Sequence, residues 1–309
     1  MKTVSTRVAI LRCPAYDRKA IKENLAVIFQ ALSFTVAAGS SILLKPNLVS
    51  GIGHRGLACS HPEFVAAAAE WFVDHGVRVA VGDSPAFGRA PAVMDACGIS
   101  ASLKGLPVRA LHFHQARKVN LACGLSLKVA AAALDCDYLV NLPRVKAHSQ
   151  TLVSLAVKNY FGTVKGFSKA LLHQRLGANE DFFARMIVDL QAVLPDGISL
   201  IDGIEAMHCS GPMDGLPFHL GVVAGSKNPV ALDTAMLAIL GINPEKSLVW
   251  RETKRRNCPG WREKDLLYPL LGPADVAVQG FVVPERLKPI PFRPLQVVGS
   301  IIRRIRAQL

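Results

Sequence analysis

A chain of 309 residues, half of them hydrophobic, can hold one large α/β domain or two smaller ones and is too apolar to be disordered. Its formal net charge of +13 favours acidic partners, but six of the basic residues (Arg286, Lys288, Arg293, Arg303, Arg304 and Arg306) lie in residues 286–309, where there is no Asp or Glu. Seven scattered cysteines without a CxxC pair provide no local zinc or iron–sulfur motif and predict reduced thiols in a cytoplasmic protein. The first apolar run is too short for a signal peptide, and no segment reaches the roughly 18 apolar residues of a membrane span.

Strand-like and helix-like segments alternate. RVAILRC (7–13) predicts a strand, 17–34 a helix, and SSILLKPN (40–47) a strand ended by Pro46. Residues 62–75 predict a helix with Pro62 in its first turn. A strand follows at 77–85, a short helix at 88–96, and short strands at 108–113 and 125–130. YLVNLP (138–143) predicts a buried strand, and 151–161 and 180–194 predict helices. ISLIDGI (198–204) and HLGVVAG (219–225) predict strands, Asn228 caps a helix opening at Pro229, and DVAVQG (275–280) predicts a last strand. This order predicts an α/β fold: a largely parallel sheet with helices on both faces, in one body or two lobes. The folded body is expected at 1–281. Residues 282–309 are expected to form a basic, proline-rich connector and an amphipathic helix, with Leu295, Val298, Ile301, Ile302, Ile305 and Leu309 at helical spacing.

In open α/β sheets, ligands sit beyond the carboxyl ends of the strands. Here those ends carry Lys45 and Asn47; Asp83 and Ser84; Asn141, followed by Arg144, Lys146 and His148; Asp202 and Gly203; and Gly225, Ser226 and Lys227. Lys146 and His148, two apart, point the same way in extended chain. Ser149 could cap the helix expected next, whose N-terminus would seat an anion. Along that helix Thr151, Ser154 and Lys158 would share a face, with Asn159 beside it. His148 suits proton transfer near neutrality, with His173 as a second candidate. Asp83, Asp202 and Asp233 could orient groups, act as bases or hold Mg²⁺. The loop SGIGHRGLACSHP, with His54 and His61, has no phosphate-binding glycine pattern and is expected to act as a lid. The catalytic set expected is His148, Lys146, Asp83 and Asp202. Lys45, Asn47, Asn141, Thr151, Lys158 and Asn159 are expected to bind substrate, with no metal assigned.

Eight blocks in order carry a family resemblance: ILLKPNLVSG (42–51), HPEFVAAAAEW (61–71), VAVGDSPAFGR (79–89), DYLVNLPRVKAHSQT (137–151), LAVKNYFGTVKG (155–166), LIDGIEAM (200–207), GP with DG (211–215) and NPVALD (228–233). The chain resembles the family called domain of unknown function 362. Many members carry a ferredoxin-like segment after this domain, which implies a redox partnership. This chain has no cysteine after Cys258, so it departs from that pattern. The domain is also distantly similar to the N-terminal domain of lactate racemase, which implies a 2-hydroxy acid held by Lys with a His moving a proton.

Two readings follow. In one, the protein is an enzyme of racemase-like, isomerase-like or oxidoreductase-associated chemistry acting on a small carboxylate or phosphate. In the other, it is a non-catalytic redox accessory or scaffold. Its basic tail would then dock an iron–sulfur partner, another acidic redox protein or an anionic membrane surface. Nucleic acid fits poorly, because there is no recognised motif and aromatics are only 6% of the chain.

Overall fold

The computed structural model describes residues 6–50, 56–85, 88–165 and 180–287. His54, His173 and the amphipathic stripe of 295–309 lie outside the described residues. In chain order the elements are β1 (Ala9–Arg12), α1 (Arg18–Ala31), β2 (Ser41–Pro46), α2 (Pro62–Asp74), β3 (Arg78–Asp83), α3 (Ala90–Ala96), α4 (Ile99–Ser102) and β4 (Val108–His112). Then come β5 (Ala116–Asn120), β6 (Ser126–Ala130), α5 (Ala131–Leu134), β7 (Tyr138–Leu142), β8 (Arg144–His148), β9 (Leu152–Ser154) and α6 (Ala156–Asn159). The last are α7 (Glu180–Leu190), β10 (Gly197–His208), β11 (Leu216–Ser226), α8 (Pro229–Ile239) and α9 (Leu248–Arg255).

The fold is α/β, with a mixed sheet of nine strands among the described residues, flanked by helices. Its main path runs β1-β11-β10-β7-β2-β3-β4. The pairs from β10 through β4 are parallel, whereas β11 pairs antiparallel with both β10 and β1. The period of two explains why the central strands are apolar throughout. In β2, Ile42 and Leu44 enter the core beneath α1 and α2, while Leu43 enters the opposite core with Val157, Phe161 and Phe183. A third core gathers β8, β9, β11 and α8 around Val145, Ile201, Val222 and Leu237. Pro62 opens α2 as expected, with His61 as N-cap, and Asn228 caps α8 through Val230 N and Ala231 N.

The sequence of strands in the sheet decides where a ligand crevice can be. From β2 the chain moves outward through β3 and β4 to one edge. It then returns to β7 on the other side of β2 and moves away through β10. The direction therefore reverses between β2 and β7, which is the topological switch point of the sheet. Lys45 and Asn141 are register partners there.

Three sequence expectations fail locally. No helix starts at 151: the chain turns after His148, and β9 folds back antiparallel on β8, with Lys146 opposite Ser154 and His148 opposite Leu152. Leu152 takes a φ of 69° and the Thr151 hydroxyl donates to Val153 O, so the segment is a hairpin turn before the short α6. The expected face of Thr151, Ser154 and Lys158 is therefore split among a turn, a strand and a helix, and Ser149 caps nothing there. DVAVQG is not a strand either: Pro273–Val276 is a 3-10 turn whose Asp275 carboxylate accepts from Gly272 N (2.7 Å). β5 and β6 pair with each other outside the main sheet, and sequence reasoning missed β5.

Candidate functional site

Beyond the carboxyl ends of β2, β3, β7 and β8 lies a buried seam of polar side chains. Lys45, wholly buried, donates to Asp83 Oδ1 (2.9 Å) and Pro46 O (3.0 Å). Asp83 also accepts from Leu48 N (2.8 Å) and Ser84 N (2.9 Å). The turn Tyr160–Thr163 lies directly over this pair. A Cβ on Gly162 would stand 1.9 Å from Asp83 Oδ1 and 2.4 Å from Lys45 Nζ, so only glycine fits there. Burial pulls the Lys45 amine below its usual range, and Asp83 works against that pull.

Three asparagines continue the seam as a directed chain. Lys146 Nζ donates to Asn47 Oδ1 and to Ala58 O (2.7 Å). Asn47 Nδ2 donates to Asn159 Oδ1 (2.9 Å), and Asn159 Nδ2 to Asn141 Oδ1 (2.8 Å). Asn141 Nδ2 then donates to Ser199 Oγ and Ala156 O, both at 3.0 Å. The direction has a physical origin: an ammonium only donates, so every amide after it must present oxygen toward Lys146 and nitrogen away. The seam thus brings together Lys45, Asn47, Asp83, Asn141, Lys146 and Asn159 of the expected set.

The other four are placed differently. His148 shares the face of β8 with Arg144 and Lys146, and it is buried. Its Nδ1 accepts from Gln150 N (3.1 Å) and Thr151 N (3.4 Å), so the neutral ring carries its proton on Nε2. Thr151 is spent on the hairpin turn. Asp202 accepts from Tyr16 OH (2.7 Å) and His61 N (2.8 Å), which fixes the start of α2. Lys158 lines a cavity of about 10 Å³, the room of one water molecule, with Asp233, Leu237 and Trp250. Asp233 accepts from Ala156 N (2.7 Å) and Val157 N (3.2 Å), and burial pushes it up to about 7. Asp83, Asp202 and Asp233 thus have separate partners. Among the described residues no group of three or more His, Cys, Asp or Glu converges to hold a metal.

Sequence reasoning missed the role of residues 56–60, which the basic residues of β8 hold by their carbonyls. Lys146 takes Ala58 O, and Arg144 Nη1 takes Cys59 O (3.0 Å) and Gly56 O (3.3 Å). Ser60 Oγ bridges Asn47 N (2.8 Å) and Leu142 O (2.6 Å). Between these contacts sits Cys59, 1% exposed and close enough to Lys146 for mutual electrostatic influence. No local motif marks Cys59, because its neighbours come from distant strands. Asp83 pairs with Lys45, and Arg144 has Glu205 half-buried at its edge (3.4 Å) and the buried Asp202 as its register partner on β10, whereas Lys146 is held by the neutral oxygens of Asn47 and Ala58. Three events can relieve the cost of that buried ammonium: an anion binds, Lys146 loses its proton, or Cys59 ionises. Burial, helped by Arg144 and Lys45, pulls the Lys146 amine down to about 7.

The fold and seam define an α/β protein with a buried, charged and hydrogen-bonded centre at its switch point. The chain belongs to the family "Domain of unknown function (DUF362)", whose model matches residues 42–238. It is similar to the thylakoid-associated protein sll1697 of Synechocystis sp. (strain PCC 6803), with 32% identity over 301 residues covering 96% of this chain and 93% of that protein. Among solved structures it resembles the lactate racemase apoprotein from Thermoanaerobacterium thermosaccharolyticum, at a TM-score of 0.46 and 11% identity, covering 75% of this chain and 56% of that one. A protein from Thermotoga maritima is similar at a TM-score of 0.42 and 12% identity, covering 67% and 55%. The chain thus spans just over half the length of these solved structures. Among the described residues no helix is long and apolar enough to cross a membrane.

Proposed function

We propose that this protein is an enzyme acting on a small carboxylate- or phosphate-bearing substrate at the switch point between β2 and β7. The observation that carries this reading is Lys146: an amine buried among other cations, with its pKa pulled down to about 7 by burial. A lysine poised near neutrality can take up and return a proton at physiological pH, which an ordinary lysine cannot. The buried Lys146 ammonium draws in the anionic part of the substrate. Arg144 adds to that charge from the same face of β8, Lys45 is committed to Asp83, and the asparagine chain keeps Lys146 aimed. His148 serves as the second acid/base group, through Nε2. Asp83 orients Lys45, and Asp202 acts as a positioning residue through His61 and Tyr16.

The test is a thermal-shift and NMR screen with 2-hydroxy acids, 2-oxo acids and inorganic phosphate. Bound ligand raises the melting temperature by mass action. Deuterium exchange beside the carbonyl or hydroxyl carbon reads proton transfer directly. The wild type is expected to respond to at least one member. Lys146→Met is expected to lose exchange while remaining folded, and His148→Ala to slow it. A screen without any response, or Lys146→Met exchanging as fast as wild type, overturns the reading.

A second reading has its own support. The relative that matches 96% of this chain is named as thylakoid-associated, and residues 286–309 hold six basic residues and no acidic one. These favour peripheral association with an anionic membrane surface through the tail. Co-sedimentation with anionic but not neutral vesicles, lost on deleting 286–309, is the expected result. Equal pelleting of the truncated chain removes the tail from that role.

A further inference from the structure

Cys59 is a buried thiol of the seam with no part in the proposed proton transfer. Its Sγ accepts from Val49 N (3.5 Å) and donates to Ser50 O (3.6 Å). A second thiol lies beside it: Cys97, the residue that ends α3, donates its Sγ proton to Met94 O (3.7 Å), packs against the same core cluster and is close enough to Cys59 for each thiol to shift the other. The two chain segments also meet one residue further on. A Cβ at Gly98 would stand 3.4 Å from the Pro62 ring, so the α3–α4 junction sits directly on the start of α2. Both thiols are free, Cys59 buried and Cys97 partly exposed.

The chemistry of the two differs. The neighbouring Cys97 thiol, the Val49 N–H and the nearby Lys146 cation hold the Cys59 thiol below its ordinary range. Cys59 in turn, together with burial, holds the Cys97 thiol above its own. A thiol held low beside a thiol held high is the arrangement of a dithiol in which the first sulfur ionises and attacks and the other resolves.

We propose that Cys59 and Cys97 form a redox-active dithiol whose closure to a disulfide reports on, and disturbs, the polar seam. Hydrogen peroxide serves as the oxidant class. The Cys59 thiolate attacks one peroxide oxygen, the O–O bond breaks, and sulfenic acid and hydroxide form. The Cys97 sulfur then attacks the Cys59 sulfur. The S–O bond breaks, and the oxygen leaves as water with the Cys97 proton. The first hydroxide takes up the proton that Cys59 gave away. Two thiols and one peroxide thus become one disulfide and two waters. Drawing Cys59 toward α3 pulls on the carbonyls of Ala58 and Cys59, which hold Lys146 and Arg144.

The full chain is treated with stoichiometric hydrogen peroxide, alkylated and digested, and its cross-linked peptides are read by mass spectrometry. A Cys59–Cys97 link, reversed by dithiothreitol and absent in Cys97→Ser, is the expected result. The oxidised wild type is also expected to change its melting temperature, while peroxide-treated Cys97→Ser does not. Should Cys59→Ser fail to fold, Cys97→Ser carries the test, because its side chain lies outside the seam. Free thiols at 59 and 97 after treatment, or links among Cys13, Cys123, Cys136, Cys209 and Cys258 at equal yield, overturn the proposal. The link is read without any substrate, so its absence leaves the proton-transfer reading standing, and its presence does not rescue it.

Discussion

Lys45–Asp83 and Lys254–Glu245 are the same chemical pair in two environments. The first is 0% and 2% exposed and sits under the Tyr160–Thr163 turn. The second is 44% and 50% exposed, on and beside α9, where Lys254 also lies 5.5 Å from the Trp250 ring. On the surface, water solvates both charges whether or not they touch, so the contact adds little. In the seam, losing one partner leaves the other charge without water, so the pair is costly to break even though burying it was costly too. Only the buried environment can shift a lysine to where it moves protons near neutrality. The seam is therefore where charge can do chemistry, and α9 is where charge keeps the surface solvated.

The sharpest way to break this contrast is Gly162→Ala. Its methyl would occupy the space of the Lys45–Asp83 pair, and a loss of about 4–5 kcal/mol or outright unfolding is expected in urea denaturation. Lys45→Met comes next, at about 3–4 kcal/mol, because Asp83 stays buried without its cation. Adding Asp83→Asn, which removes the charge and keeps an acceptor for the Leu48 and Ser84 N–H groups, is expected to recover part of that loss, and a double variant no more stable than Lys45→Met would mean the pair is not the cause.

Lys146 gives a smaller effect that depends on pH. Its folded pKa of about 7 lies below the free lysine value of about 10.4. Between those values the unfolded chain binds more protons, so the cost of burying Lys146 is full below pH 7 and fades as pH rises. The stability of wild type relative to Lys146→Met should therefore climb by about 1.4 kcal/mol per pH unit from pH 7 to 9. A flat difference across that window would show that Lys146 titrates like an ordinary lysine. The smallest effect is the surface control: Lys254→Ala is expected to change stability by less than about 0.5 kcal/mol at any of these pH values.

Much of the seam was legible because strands announce their ends. Lys45 before Pro46, Asp83 after an apolar run and Asn141 within one are polar residues that a buried strand would otherwise avoid. Parallel pairing brings those ends to one edge of the sheet. The hairpin at 148–154 was not legible. LVSLAVKNYF satisfies helical spacing as well as strand spacing, and the choice was made by β10, which pairs with β8 and holds it extended. Asp202 read as a site carboxylate because it ends an apolar run, yet its partners Tyr16 and His61 come from far earlier in the chain. Cys59 had no neighbour in sequence to mark it, and Gly162 looked like any loop glycine.

By itself, then, the amino-acid order determined the alternation of strands and helices, Pro62 in the first turn of α2, the cap at Asn228, and which polar residues stand at strand ends. Those depend on periods of two and 3.6 and on local hydrogen bonds, which need no distant partner. Tertiary structure alone decided that the sheet reverses direction between β2 and β7, that three asparagines align behind one lysine, and that Cys97 lies beside Cys59. Each of these depends on contacts between segments separated by many residues. Their energies come from exclusion of water by the packed layers, a property that no single stretch of the chain carries.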